Sequence, residues 1–300
     1  QPVRLPDRST REAVALMKGR IFKDRLATAV LWACMGAVLA VLGGILVFLI
    51  VRGAGALSWE FLSQPPRDSM TKGGILTPLV GTLQLVAVAM AFAFPVGVLT
   101  AVYLNEYAAE DRFTRLLRLA VRSLAGVPSV VFGLFGLSFF VIFLRFGASL
   151  LSAGLTLGCL ALPVIVGASE AALKAVPQDY RDASYAMGAT RWQTIRKVVL
   201  PAAFPAILTG GILSVGRVAG ETAPIIFTGA AFFTPDIAKS LFSQVMALPY
   251  HVLILATAGT NIEETRGIQY GTILVLLLVV LGITLAGVIW RARLRMRSTR

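Results

Sequence analysis

Residues 211–224 read Gly211-Ile-Leu-Ser-Val-Gly-Arg-Val-Ala-Gly-Glu-Thr-Ala-Pro224, an apolar run holding two opposite charges, Arg217 and Glu221. Its flanks extend it to a stretch near 202–227. That is long enough to cross a bilayer, which takes roughly 20 helical residues. An Arg near the middle of such a helix costs about 2.5–3.5 kcal/mol on insertion scales, so it faces protein or a wet path. A guanidinium at that depth is a good partner for an oxyanion, because its fork of donors fits two oxygens at once. The run therefore reads as part of a membrane-spanning helix, and its charges suggest a pathway for a small anion.

Composition agrees. Of 300 residues, 57% are hydrophobic and 14% charged, and no soluble fold needs so many long uncharged runs. Six runs can span, near 27–51, 76–103, 123–144, 148–169, 202–227 and 268–290. The net charge of +13 could point to nucleic acid, but its distribution points elsewhere. The two tails and the links at 104–123 and 170–200 hold 21 Lys and Arg; the opposite side holds six, with Arg217 left over. By the positive-inside rule, both termini and both basic links are cytoplasmic. The charge then sets topology and touches anionic lipid. A seventh crossing through 240–262 would carry the five arginines of the C-terminal tail outside, and that stretch also holds Gln244, Pro249, His251 and Asn261. It reads as an outer-face helix or re-entrant segment. The expectation is an all-α membrane protein with six transmembrane helices.

The domain plan follows. Residues 1–26 form a cytoplasmic tail and 292–300 a basic cytoplasmic tail. Between them, 27–291 form one transmembrane domain, with a cytoplasmic loop at 177–200 and an extracytoplasmic segment at 228–267. Ser9-Thr-Arg-Glu12 has capping-box spacing, and Val14, Met17, Ile21 and Phe22 share a helical face. That suits a helix lying on the membrane surface, or a solvated basic tail. The start does not read as a signal peptide: its charged stretch is too long, and no small-residue cleavage site follows the first apolar run. Residues 52–75, with Pro65-Pro66 and Gly73-Gly74, form an external loop. Pro95 and Pro163 fall inside spans, where neighbouring helices satisfy the freed backbone groups. Cys34 and Cys159 lie in different spans and read as free thiols. His251 is the lone histidine, so no His-x3-His metal site can form, and it is expected to be solvated or interfacial.

The cytoplasmic link holds a second pattern. It reads Pro177-Gln-Asp-Tyr-Arg-Asp-Ala-Ser-Tyr-Ala-Met-Gly188, then Ala-Thr-Arg-Trp-Gln-Thr-Ile-Arg-Lys-Val-Val-Leu-Pro201. Pro177 suits a helix start and Gly188 a helix stop. Thr190-Arg-Trp-Gln193 again has capping-box spacing. Tyr180, Ala183 and Met187 share one face, and Trp192, Ile195 and Val199 form a second stripe. The prediction is helix, glycine turn, helix, then a proline-started span. A mere connection needs only a few residues. The stripes suggest docking to a cytoplasmic partner, unless they pack on the chain's own spans or on lipid.

These residues carry a resemblance. Asp182-Ala183-Ser184, three residues, Gly188, nine residues, Val198, one residue and Leu200-Pro201 resemble the EAA loop of ABC importer permeases. That pattern begins Glu-Ala-Ala and has Ile before the final Leu-Pro. Here Asp182, Ser184 and Val198 are the departures, and Gly188, Leu200, Pro201 and both spacings match. Another Glu-Ala-Ala stands at 170–172, but no Gly follows three residues later. Gly216-Arg217-x2-Gly220-Glu221-Thr222-Ala223-Pro224, followed by Phe227-Thr228-Gly229, is similar to the phosphate-specific permeases, as is Gly126-Val-Pro-Ser-Val-Val-Phe-Gly133. Gly-Glu-Thr-Ala-Pro points to their A-type branch over the C-type. The likeness runs from roughly residue 75 to the end.

The resemblance implies a type I ABC importer (MetI-like) permease fold and a subunit of an ATP-driven phosphate importer. It implies as partners a C-type permease, two ATP-binding subunits that dock on the 177–201 loop, and an extracytoplasmic phosphate-binding protein. It implies no cofactor on this chain, with ATP and Mg held by the partner subunits. The residues agree: there is no Gly-x4-Gly-Lys-Ser/Thr, and no Gly is followed by Lys. The chain is therefore expected not to be an enzyme. The alternatives are an importer of another oxyanion (sulfate, molybdate, phosphonate), an ion-coupled carrier, or a membrane scaffold.

Arg217 and Glu221 are one helical turn apart and can pair. Arg before Glu is the weaker order for a helix, so helix stability is a poor reason for them. Pairing leaves the site near neutral. A passing phosphate would compete with Glu221 for the guanidinium, which keeps binding weak enough for release. The other reading is an ion pair that fixes subunit packing, with Gly216 and Gly220 at small-xxx-small spacing. Ser129, Thr82 and Thr222 are candidate hydroxyl donors, although such hydroxyls also bond their own helix. At about 1.5 Å per residue, Arg217 stands roughly 24 Å along its helix from Pro201, in the outer half of the membrane.

Overall fold

The computed structural model describes the backbone at residues 8–258 and 262–298, and side chains at 23–68, 70–258 and 265–293. The tail at 1–7, the side chains of the Val14, Met17, Ile21 and Phe22 face, and Asn261 lie outside the described residues. The chain divides into two units at Gly53. The first is helix α1 (Arg8–Gly53), 46 residues without a break. The surface helix and first span that the sequence separated near residue 26 are thus one helix. No Gly or Pro stands between Arg20 and Met35 to interrupt it. Leu31 on α1 is 70% exposed, and its neighbours are similar. Such surface belongs in lipid or against protein.

The second unit begins at the loop that precedes the second span, where the all-α expectation needs a small amendment. Helix α2 (Trp59–Ser63) is capped by Ser58, whose Oγ accepts from the Phe61 N–H at 3.0 Å. A hairpin of β1 (Pro66–Arg67) and β2 (Lys72–Gly73) follows, with Pro66 opposite Gly73. Helix α3 (Leu76–Val102) runs through Pro95 and ends in a π turn, Tyr103–Tyr107. Helix α4 (Arg112–Leu124) is capped by Asp111, whose Oδ1 accepts from the Thr114 N–H at 2.7 Å. These hydrogen bonds hold the Asp111 carboxyl below the usual carboxylate range.

Helix α5 (Ser129–Gly136), continued by a π segment (Leu137–Phe143), leaves α4 at 105°. The single span expected at 123–144 is therefore broken: Ser123 and Leu124 belong to α4, and the helix on the new axis begins at Ser129. Pro128 has extended backbone and disfavours helix at the residue before it, so the chain breaks there. Helix α6 (Leu150–Lys174) runs through Pro163 and leads to α7 (Gln178–Ala186) and α8 (Arg191–Thr194). A π turn, Ile195–Val199, joins α8 to α9 (Leu200–Gly220). After a break come α10 (Ala223–Thr228), α11 (Leu248–Thr257) and α12 (Ile262–Ser298). At 10 residues, α11 is too short to cross, as expected for 240–262. Among the described residues five helices can cross, or six if the bent α4–α5 pair counts as one.

Small residues set the packing of α3 on α6. A Cβ on Gly158 would fall 2.6 Å from Phe92 and 3.1 Å from the Ala89 carbonyl oxygen, and one on Gly97 would fall 2.7 Å from Ile165. Ala89, Ala93 and Ala161 are fully buried in the same seam. Backbones approach closely there without a lipid-driven force between helices. Gly158→Leu is expected to cost about 1–3 kcal/mol by overpacking and to lower the thermal midpoint in detergent. An unchanged midpoint would mean that α3 and α6 yield freely.

The lone histidine departs from expectation. His251 on α11 is 1% exposed, and neither ring nitrogen has a partner among the described residues. Burial pushes it down to about 4, so it is neutral near pH 7. Here α11 packs on α12 and α3 instead of facing water.

Candidate functional site

The residues singled out in the sequence collect in two places. The first is the α7–α8 loop. Gly188 has φ +79°, which favours glycine. Its N–H donates to the Tyr185 oxygen at 2.9 Å, and the Ala189 N–H donates to the Ser184 oxygen at 3.2 Å. These are the two bonds of a Schellman stop. Thr190 and Gln193 close a capping box on α8. Ser184 Oγ stands 2.9 Å from Thr194 Oγ1 and ties the two helices together. Helix, glycine turn and helix are thus present as read from the sequence.

The two stripes part company. Tyr180, Ala183 and Met187 are all exposed, as is Trp192. Ile195 and Val199 are buried against the chain's own helices, beside Leu104, Leu173 and Ile207. Only the first stripe, with Trp192, remains as surface. Asp182 is exposed and accepts from Gln178 Nε2 at 3.0 Å. Val198 and Leu200 are half-buried, and Pro201 stands exposed in the first turn of α9.

Beneath α7 lies a cluster the sequence did not reveal. Arg181 donates from Nη2 to Glu106 Oε1 at 2.8 Å and from Nε to Oε2 at 3.4 Å. It also donates to the carbonyls of Val176 at 2.8 Å and Leu173 at 3.0 Å. Both charged residues are more than nine-tenths buried. One guanidinium therefore satisfies carbonyls at the C-terminal end of α6 and grips the π turn that ends α3. Asn105 Nδ2 adds a bond to Glu106 Oε1 at 2.7 Å. On α4, Arg118 Nη2 donates to the Leu104 oxygen at 2.7 Å. Its Nε stands 3.0 Å from Glu170 Oε1, an ion pair off the line of a hydrogen bond. Lys174 reaches the same oxygen at 3.1 Å. The Glu170 set aside in the sequence is thus an anchor for α4. A cavity of about 530 Å³ opens at the cluster, lined in part by Lys174, Gln178, Tyr185 and Arg191. One sequence signal was available: Glu106 is an acid at the end of a span on the side where bases collect.

The second place is the end of α9. Arg217 leaves its last turn, and Glu221 follows as the cap, with φ −75° and ψ 133°. The two do not share a continuous helix, as the 202–227 span implied. Gly220 ends α9, and Pro224 in the first turn of α10 starts a new one. Arg217 Nε stands 3.6 Å from Glu221 Oε1, a loose pair with side chains 41% and 19% exposed. The C-terminal dipole of α9 also favours the cation.

Around this break, the Cβ position of Gly133 on α5 abuts Pro224 and Phe227, and that of Gly136 abuts Thr156 and Thr228. This register sets α5 alongside α10 and carries half-buried Ser129, one turn earlier, toward the Glu221 end. Thr222 is half-buried before α10, and its side chain makes no cap bond. Thr82 is different. Its hydroxyl donates to the Pro78 oxygen at 2.8 Å and accepts from the Leu248 N–H at 2.8 Å, and the residue is 2% exposed. It holds α11 to α3, which removes it from the substrate candidates.

Residues 93–298 match the family described as binding-protein-dependent transport system inner membrane component. The chain is 33% identical over 279 residues to the probable ABC transporter permease protein YqgI of Bacillus subtilis, covering 89% of this chain and 94% of that protein. It is 37% identical over 278 residues to the phosphate transport system permease protein PstA 1 of Mycobacterium tuberculosis, covering 91% and 90%. Among solved structures, a chain of a bacterial alginate ABC transporter in complex with an alginate pentasaccharide-bound periplasmic protein superposes with a TM-score of 0.64. That match has 15% identity and covers 90% of this chain and 94% of that one. A chain of the inward-facing methionine transporter MetNI gives 0.58 at 19% identity, over 73% and 97%. At such identities the shared property is the fold.

Proposed function

We propose, from the premise that this chain belongs to the family of binding-protein-dependent transport system inner membrane components, that it is the membrane-spanning permease subunit of an ATP-driven importer of inorganic phosphate. The carrying observation is the match, at 37% identity across nine-tenths of both chains, to a protein named as a phosphate transport permease. The loose Arg217–Glu221 pair adds chemical support. A phosphate dianion offers the guanidinium two oxygens at once, and Glu221 is an anion it can displace.

In this reading the chain supplies half of a translocation path, with Arg217, Glu221, Ser129 and Thr222 on it. A C-type permease supplies the other half, and an extracytoplasmic binding protein delivers phosphate. ATP and magnesium belong to two separate ATPase subunits, so this chain does no hydrolysis. Those subunits dock on the exposed face of α7. Arg181 links α7 to the ends of α3 and α6 through bonds of 2.8–3.0 Å, so a movement of α7 pulls on both helices.

The deciding experiment is uptake of labelled phosphate into vesicles holding the assembled complex, with and without ATP, against excess sulfate, molybdate or phosphonate. ATP-dependent uptake that only phosphate competes away supports the proposal. Competition by another oxyanion moves the assignment to that ion, and uptake driven by an ion gradient alone overturns it. The loop gives a narrower expectation. Proline locks φ near −65° and removes an N–H, so Gly188→Pro cannot keep the +79° turn or the bond to Tyr185. ATP-driven uptake should fall to background while membrane insertion persists. Wild-type ATPase stimulation by this variant would place docking elsewhere.

A further inference from the structure

Helix α4 belongs neither to the Arg217 path nor to the exposed face of α7, and its sides differ. At about 3.6 residues per turn, Thr114, Leu117, Arg118 and Val121 form one edge. They are its buried or half-buried residues. On one flank of that edge stand Phe113, Leu116, Ala120 and Leu124, with Phe113 63% and Leu116 61% exposed. On the other flank stand Arg115 and Arg122. Arg112 and Leu119 lie opposite the protein edge. Arg112, Arg115 and Arg122 are all exposed, and none has an ion pair or side-chain hydrogen bond among the described residues.

The 105° bend to α5 supplies the orientation. With α5 crossing the membrane, α4 runs nearly along the bilayer plane, on the side assigned to the cytoplasm by its basic residues. In that attitude its apolar flank meets the acyl boundary and its arginines meet headgroups. A helix with this division of faces lies in the interface. Each basic side chain near an anionic surface strengthens binding roughly fivefold.

We infer that α4 binds anionic lipid headgroups of the cytoplasmic leaflet through Arg112, Arg115 and Arg122, with Phe113, Leu116 and Leu124 entering the acyl boundary. Charge complementarity selects the occupant: three cations without a partner among the described residues stand on the surface that the apolar flank and the protein edge leave, with no acid within α4. The protein edge connects that occupancy to the rest of the molecule. Arg118 holds Glu170 and the Leu104 carbonyl, next to the π turn that Arg181 grips. Lipid bound at α4 therefore steadies the same helix ends that carry α7.

Nitroxide labels at single cysteines test this without reference to transport. In a Cys34→Ser and Cys159→Ser background, Arg115→Cys, Leu116→Cys, Ala120→Cys and Arg122→Cys are each labelled in the full chain. Each is purified with its accompanying subunits and reconstituted with phosphatidylglycerol in phosphatidylcholine, or with phosphatidylcholine alone. Labels at 116 and 120 should collide with oxygen, and those at 115 and 122 with a water-soluble nickel chelate. Phosphatidylglycerol should raise the oxygen-to-nickel ratio at 116 severalfold, and Arg112→Gln, Arg115→Gln and Arg122→Gln together should erase that rise. Labels at 116 and 120 shielded from both reagents would mean that a protein subunit covers this face, and would overturn the inference. A ratio at 116 indifferent to phosphatidylglycerol in the single-label chain would overturn it as well, even if the triple variant does not assemble.

Discussion

Arg181→Ala should disconnect ATP hydrolysis from uptake. The side chain makes three bonds of 2.8–3.0 Å, to Glu106, Val176 and Leu173, and a fourth at 3.4 Å to Glu106. Removing it strands the Glu106 carboxylate at 6% exposure. Breaking a buried pair in this way costs about 3–5 kcal/mol, mostly for the uncompensated charge. The expected result is a lower thermal midpoint, easier proteolysis of the loop after Lys174, and ATP-driven uptake near background. A second variant separates stability from coupling. Glu106→Gln with Arg181→Met leaves no stranded charge, so the midpoint should largely recover. The tie from α7 to α3 remains cut, so uptake should stay low. Recovery of uptake together with stability would reduce the pair to packing.

Arg217→Gln should lower phosphate uptake by one to two orders of magnitude with assembly intact. A hydrogen bond to a charged group contributes about 1.5–3 kcal/mol, which corresponds to on the order of 10- to 100-fold. Glutamine keeps the size and loses the charge. Glu221→Gln tests the competition directly, because it removes the anion that phosphate displaces. Phosphate should then be held more tightly and released more slowly, so half-saturation and turnover should both fall. Equal uptake in wild type and Arg217→Gln would make the 3.6 Å pair a matter of subunit packing.

Local chemistry was the legible part of this molecule. Gly188 and the Thr190–Gln193 box could be read from residues a few positions apart, and the structure holds both. Positive-inside counting disfavoured a crossing at 240–262, and α11 is indeed too short to span. What escaped depends on distance along the chain. Glu106 and Arg181 are 75 residues apart, and no spacing rule joins them. Thr82 looked like a ligand because its partner, the Leu248 N–H, is 166 residues away. His251 looked solvated because nothing local tells that α11 is covered. The third crossing was misjudged for a different reason. Apolar content alone ran it back to residue 123, although Pro128 had already marked the break.

The π turn at Ile195–Val199, which joins α8 to α9, carries a genealogical consequence. This wide turn houses one residue more than an α-helix needs over the same rise. A relative lacking that residue would close the turn to ordinary pitch and keep every later side chain on its face. Elsewhere in these helices a one-residue gap would rotate everything beyond it by about 100°. Aligned sequences can therefore differ in length by one at this turn and still superpose on either side.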